Sequence, residues 1–287
     1  MMFRPRESYD QRVLTSHVNI SPEPAHLRYV QDVFGNCVGV AKFSALAAEL
    51  TFESRVRLEH APLPAFADVD GEIEPYLGAM PFAYSPEDMP DLLRSLERQY
   101  PDPDGVLEHW ARRFVNRSGP TSLQGLLAQM TQAIHADFRY EARVEIGTQT
   151  PLETLALGRG SCRDFAMLMI EAVRSLGLAA RYVSGYIYSP SRSRLRSDSS
   201  GHGHTHAWAR VYLPACGWVE FDPTNGIVGN SDLIRVAIAR DPRQAVPLHG
   251  AWQGVASDFL GMDVEVNLVT EDHRRRVPGV AGIGVAA

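Results

Sequence analysis

Cys162, His206 and Asp222 are the residues of this 287-residue chain whose types and surroundings suit nucleophilic catalysis. Cys162 stands in Gly158-Arg159-Gly160-Ser161-Cys162-Arg163-Asp164-Phe165. Two glycines there allow a sharp turn, and Ser161 with Asp164 three residues later reads as a capping box that opens a helix. The cysteine then falls at about the first helical position. Unpaired backbone N–H groups and the positive end of the helix dipole favour an anionic side chain at that point, and the thiolate is the nucleophilic form of cysteine. His206 begins His-Ala-Trp-Ala-Arg-Val-Tyr-Leu, and Asp222 begins Asp-Pro-Thr-Asn-Gly after Gly-Trp-Val-Glu-Phe. A cysteine at a helix start, a histidine on a strand and an acid after the next strand form a nucleophile, base and orienter set. Cys162 alone reads equally well as a small core residue, the usual fate of an unpaired cysteine; the histidine and the acid tip the reading towards chemistry.

These side chains need rigid elements behind them. Phe165, Ala166, Leu168, Met169, Ile170, Ala172, Val173 and Leu176 are apolar on nearly every side of the cysteine helix, which predicts burial through the middle of a domain, with Gly177 as its stop. Ala180 to Tyr188 reads as a strand, and Ser189 to Gly203, with Arg192, Arg194 and Arg196, as a polar loop without apolar pattern. His206 to Leu213 alternates, Pro214 to Gly217 turns, and Trp218 to Phe221 runs back. That hairpin brings His206 and Asp222 to the same end, where neighbours on adjacent strands come within hydrogen-bond reach.

Upstream, residues 86 to 140 read as packing helices, with Val106, Trp110 and Phe114 on one face and Leu123, Leu126, Leu127, Met130 and Ile134 on another. Thr150-Pro151-Leu152-Glu153 is a second capping signature. Residues 1 to 85 are β-rich. Arg12 to Ile20, Cys37 to Phe43 and Ala48 to Leu58 carry strand patterns, Gly35-Asn36 has hairpin chemistry, and Pro62 to Met80 reads as a linker. The expectation is a small antiparallel sandwich without a catalytic cluster of its own.

Composition narrows the function classes. The net charge of −6 argues against a nucleic-acid partner, and Arg274, Arg275 and Arg276 read as a solvated tail. Cys37, Cys162 and Cys216 are too few and too scattered for a disulfide framework, which points to a reducing cytoplasm. The N-terminus lacks the apolar run of a signal peptide, and no later stretch suits a membrane span. His202, His204 and His206 alternate and could share a zinc ion, but a metal would compete for the histidine that Cys162 needs. No metal and no cofactor is therefore expected.

The stretches Thr150 to Thr154, Gly160 to Ala166, Arg174 to Tyr186, Thr205 to Trp208, Gly217-Trp218 and Phe221 to Gly226 together resemble the bacterial transglutaminase-like proteins. Asp32-Val33-Phe34-Gly35-Asn36 resembles the β-rich region that precedes their core. The likeness implies an α+β fold with a papain-like, transglutaminase-like core, in which the cysteine helix packs on an antiparallel sheet behind a small β-sandwich-like region. The expected division is a β-rich domain over 1–85, a catalytic domain over 86–272 and a tail over 273–287. The resemblance also implies a further strand before Phe3-Arg4-Pro5-Arg6; Met1 falls almost on that segment, which predicts an unprotected first-sheet edge.

Carried over by position, Cys162 is the nucleophile, His206 the general base and acid, and Asp222 its orienter. The backbone N–H of Cys162 is one expected oxyanion donor, and Tyr140 and Gln149 are candidates for the second. The expected function is thiol-dependent acyl transfer on the amide bonds of a peptide or protein, hydrolytic as in a cysteine peptidase or amidase. The alternatives are a protein-glutamine transglutaminase or peptide ligase with an amine acceptor, and a non-catalytic peptide-binding module. The same triad supports hydrolysis and transfer alike.

Overall fold

Helix α5 (Cys162–Ser175) holds its N-terminus through Asp164, whose Oδ2 accepts the backbone N–H and the hydroxyl of Ser161, each at 2.8 Å. This closure leaves no room for a side chain at Gly160, where a Cβ would stand 2.8 Å from that of Asp164. Every residue from Asp164 to Arg174 is buried, the all-round burial predicted from its apolar composition. The structure is a computed structural model and describes residues 1–62, 72–73, 82–143, 147–188, 204–214 and 216–269. Most of the expected linker, the polar loop over 189–203 with His202, and the tail over 273–287 lie outside those residues.

Ahead of α5 the chain forms β1 (Gln11–Ser21), β2 (His26–Gln31), β3 (Cys37–Lys42), β4 (Thr51–His60) and β5 (Glu72–Ile73), then helices α1 (Met89–Leu96) and α2 (Val106–Ala111). Next come β6 (Thr121–Ser122), α3 (Leu123–Asp137), β7 (Arg139–Tyr140), α4 (Pro151–Leu157) and β8 (Arg159–Gly160). After α5 follow β9 (Ala180–Ile187), β10 (His204–Leu213), β11 (Gly217–Asp222), β12 (Ile227–Val228) and β13 (Leu233–Ala239). These last five make one antiparallel sheet in the order β12-β11-β10-β9-β13.

Helix α5 covers one face of that sheet. Ala207, Ala209 and Val211 of β10 are fully or almost fully buried in the same core as Phe165, Leu168 and Met169, and their small size lets the helix approach closely. Leu126, Leu127, Met130 and Ile134 of α3 and Leu107 and Trp110 of α2 complete this core. A smaller cluster of Val183, Trp208, Ile227, Leu233 and Ile238 fills the other face. Among the described residues no helix is long and apolar enough to cross a membrane.

Among its described residues the β-rich N-terminal region has two two-stranded antiparallel ladders of its own, β1 with β4 and β2 with β3, while β5 pairs with β6. Strand β2 carries no strong pattern in the sequence because all six of its residues are exposed. Met1 covers part of the free edge of β3, bonding Gly39 in both directions at 2.9 and 3.0 Å.

Two amides of the N-terminal region close the outer edge of β13. Gln11 donates from Nε2 to the Arg235 carbonyl at 2.8 Å and accepts the Arg235 N–H at 3.0 Å. Asn36 does the same at Ile238, donating at 2.7 Å and accepting at 2.9 Å. Each side chain stands in for one residue of a neighbouring strand, so an edge with free N–H and C=O groups is satisfied without another strand. Between them the Arg235 guanidinium, 3% exposed, joins Asp10 at 2.9 Å and Glu220 at 2.8 Å. Burial pushes the Asp10 carboxyl up, but the bonds from Arg235 and Ser8 prevail and bring it down to about 2.

Asn36→Ala leaves a buried N–H and C=O on Ile238 without partners. The expected loss is about 3 kcal/mol, read from the urea midpoint. Asn19→Ala, which removes an exposed bond to Glu53, should cost less than about 0.5 kcal/mol; equal losses would contradict the assigned role of Asn36.

Candidate active site

The start of α5 and the ends of β10 and β11 converge. Cys162 is the first residue of α5 and is partly exposed. His206 lies near the start of β10, 6% exposed, and Asp222 ends β11, fully buried. The last pairs of the hairpin are Ala209 with Phe221 and Arg210 with Glu220, so Asp222 emerges one step past the ladder and reaches back to the histidine. His206 Nε2 stands 2.7 Å from Asp222 Oδ2, and Cys162 lies near enough to the imidazole to favour its charged form. With Nε2 given to Asp222, Nδ1 is the ring nitrogen left for the cysteine. The structure thus brings together the three residues expected from the sequence.

A fully buried carboxylate must be compensated, and Asp222 has four donors. Oδ2 accepts from His206 and from Asn225 Nδ2, at 2.7 Å each. Oδ1 accepts the backbone N–H groups of Thr224 at 3.0 Å and Asn225 at 3.3 Å. Burial by itself pushes the Asp222 carboxyl up; the His206 charge and these hydrogen bonds outweigh it and hold the group below the usual carboxylate range. Burial likewise favours neutral His206, yet the Asp222 carboxylate and then Cys162 raise the imidazole to about 10. At neutral pH the pair is therefore imidazolium and carboxylate. The ring also stacks on Trp208, with centroids 5.9 Å apart and planes at 27°.

The loop that carries Asp222 is braced from α3. Gln132 Nε2 donates to the Gly226 carbonyl at 2.7 Å, and His135 Nδ1 meets the Thr224 carbonyl at 2.8 Å. Neither contact has a sequence signal, because both residues sit on the polar face of a helix that otherwise reads as packing. Asn225 stands inside the Asp-Pro-Thr-Asn-Gly stretch, where its closeness to the acid is the signal that could have singled it out.

Both candidates for a second oxyanion donor lie beside the helix start. Tyr140 of β7 is registered against Gly160 of β8, and burial, then Cys162, push its hydroxyl above the ordinary value. Gln149 donates its backbone N–H to Asp164 Oδ1 at 2.7 Å, and its Oε1 accepts from Thr154 Oγ1 at 3.1 Å. His204 belongs to β10. Among the described residues no three histidine, cysteine or acidic side chains form a metal-binding group.

Comparison with known proteins agrees with this architecture. Residues 108–223 match the model of the transglutaminase-like superfamily, and residues 1–59 match that of the bacterial transglutaminase-like N-terminal region. The uncharacterized protein Rv2569c of Mycobacterium tuberculosis is 30% identical over 277 residues, spanning 92% of this chain and 84% of the relative. The uncharacterized protein YebA of Bacillus subtilis is 35% identical over 71 residues, 23% of this chain and 10% of its own. Among solved structures, a candidate cysteine protease from Cytophaga hutchinsonii superimposes with a TM-score of 0.60 at 17% identity, over 85% of this chain and 76% of that one. At that identity the likeness is one of fold.

The titration directions fix a pH window for stability. His206 is raised from 6.5, so its contribution is complete below about 6.5 and is lost as pH rises towards about 10. Asp222 is lowered from 3.8, so its contribution is complete above about 4 and is lost as pH falls through its depressed value. The urea midpoint of the wild type should therefore fall between pH 7 and 9.5 more steeply than that of His206→Ala. Parallel curves would contradict the assigned ion pair.

Proposed function

This chain belongs to the transglutaminase-like superfamily, and from that premise we propose that it cleaves amide bonds of a peptide or protein by thiol-dependent acyl transfer to water. The observation that carries the reading is the Cys162, His206 and Asp222 set, with His206 held at 2.7 Å by a fully buried carboxylate and lying near a cysteine at a helix N-terminus.

In this reading the Cys162 thiolate attacks the amide carbonyl and a C–S bond forms. The oxyanion is received by the backbone N–H of Cys162 at the start of α5, with Tyr140 or Gln149 beside it. His206, protonated at neutral pH, gives its Nδ1 proton to the leaving amine as the C–N bond breaks, and a thioester remains. Neutral His206 then takes a proton from water, whose oxygen attacks the thioester; the C–S bond breaks and the carboxylic acid leaves. Asp222 holds the ring by Nε2 and stabilises each imidazolium formed. Hydrolysis is favoured over amine transfer because Cys162 is partly exposed, so water reaches the thioester; transfer depends on excluding it.

Two measurements test the assignment. Iodoacetamide should label Cys162 faster than Cys37 or Cys216, and His206→Ala should slow it; labelling indifferent to His206 would refute the pairing. On a cleaved peptide substrate, Cys162→Ala should lower kcat by at least ~10^4-fold with an unchanged urea midpoint. Product formed in 18O-labelled water should carry 18O in its new carboxylate. Label absent from the product, with an added amine incorporated instead, would replace hydrolysis by transamidation.

A further inference from the structure

The proposed reaction gives the side chain of Asn225 no role. Asn225 Nδ2 lies 2.7 Å from Asp222 Oδ2 and 3.2 Å from His206 Nε2. A carboxylate oxygen only accepts, so Nδ2 and the Nε2 proton both donate to Oδ2, side by side on one atom. The position of this amide is built. Its own N–H reaches Asp222 Oδ1 at 3.3 Å, and the carbonyls of the residues before and after it are tied to His135 and Gln132 of α3.

We propose that Asn225 is a positioning residue that sets how strongly Asp222 holds the His206 proton, by taking a share of Oδ2. The proposal rests on the reading of Cys162, His206 and Asp222 as the reactive set. A donor added to a carboxylate stabilises its charge and weakens its pull on the next donor. An imidazolium must release its proton to the leaving amine, and catalysis suffers when its partner holds that proton too firmly. Among the described residues, His206 is faced by Asp222 of β11 and Cys162 of α5, stacks on Trp208 and lies opposite Gly185 of β9. From α3, His135 reaches the same turn through the Thr224 carbonyl. Asn225 is the neutral donor placed to moderate the ion pair.

The sign of its effect follows. Without the amide, Oδ2 acts on Nε2 undivided, and His206 keeps its proton to higher pH. The test is an NMR titration of the His206 Cε1 resonance in the full chain from pH 6 to pH 12, with the signal assigned by its loss in His206→Ala. Asn225→Ala should raise the midpoint by about one pH unit, and Asn225→Asp, which adds charge, should raise it further. A midpoint unmoved or lowered in Asn225→Ala overturns the proposal, and so does general loss of activity without movement of the midpoint. Should Asn225→Ala fail to fold, Asn225→Leu, close in size to asparagine and without a donor, decides on the same readout. Iodoacetamide labelling of Cys162 in wild type against His206→Ala tests the underlying reading separately, so either can fail without the other.

Discussion

Asp222 is a carboxylate without solvent, and the architecture around the site can be understood as what that burial demands. A buried charge is tolerable when its lone pairs are occupied and an opposite charge is near. Here four donors and one imidazolium meet the requirement. The end of β11 supplies the acid, the following turn supplies three of the donors, and α3 secures that turn by two carbonyls. His206 is the fourth donor and the counter-charge, so its orientation follows from a buried charge rather than from a loose surface contact.

A second buried carboxylate does the corresponding work on the cysteine side. Asp164 accepts from Ser161 through Oδ2, and from Gln149 at 2.7 Å and Arg143 at 2.9 Å through Oδ1. The loop before α4, the segment after β7 and the first turn of α5 are thereby fixed to one side chain. Cys162 is partly exposed, yet the helix start that carries it is held by these bonds to a buried carboxylate. A partly exposed thiol thus rests on groups that are closed to water.

The parts of this arrangement visible in the sequence are those encoded locally. The capping boxes at Thr150 and Ser161, the apolar run of α5 and the β10–β11 hairpin depend on residues a few positions apart, and each is where the pattern placed it. Strand β13 carries no such local signal, although its run Leu233 to Ala239 is largely buried. Its place beside β9 depends on pairing across more than forty intervening residues, and a short apolar run does not declare its partner. The amides that satisfy its edge, Gln11 and Asn36, lie more than two hundred residues away and look like ordinary surface residues in a β-rich stretch. The Gly-Asn pair lies in the loop joining β2 to β3, after a turn centred on Val33 and Phe34, and its hairpin chemistry is silent about the docking.

That docking gives the N-terminal region a physical connection to the chemistry. Gln11 and Asn36 satisfy the outer edge of β13, and the inner edge of β13 pairs with β9. At the middle of β9, Gly185 lies between Arg235 of β13 and His206 of β10. A Cβ there would collide with the Ile234 carbonyl and stand 2.8 Å from the Trp208 ring, so glycine is what lets β13 and the indole close in from two sides. Trp208, fully buried, then stacks against His206. Each step is a contact between packed or hydrogen-bonded groups, and close-packed interiors pass displacement on rather than absorb it. The N-terminal region therefore bears on the site by holding the strand against which the floor beneath its histidine is packed.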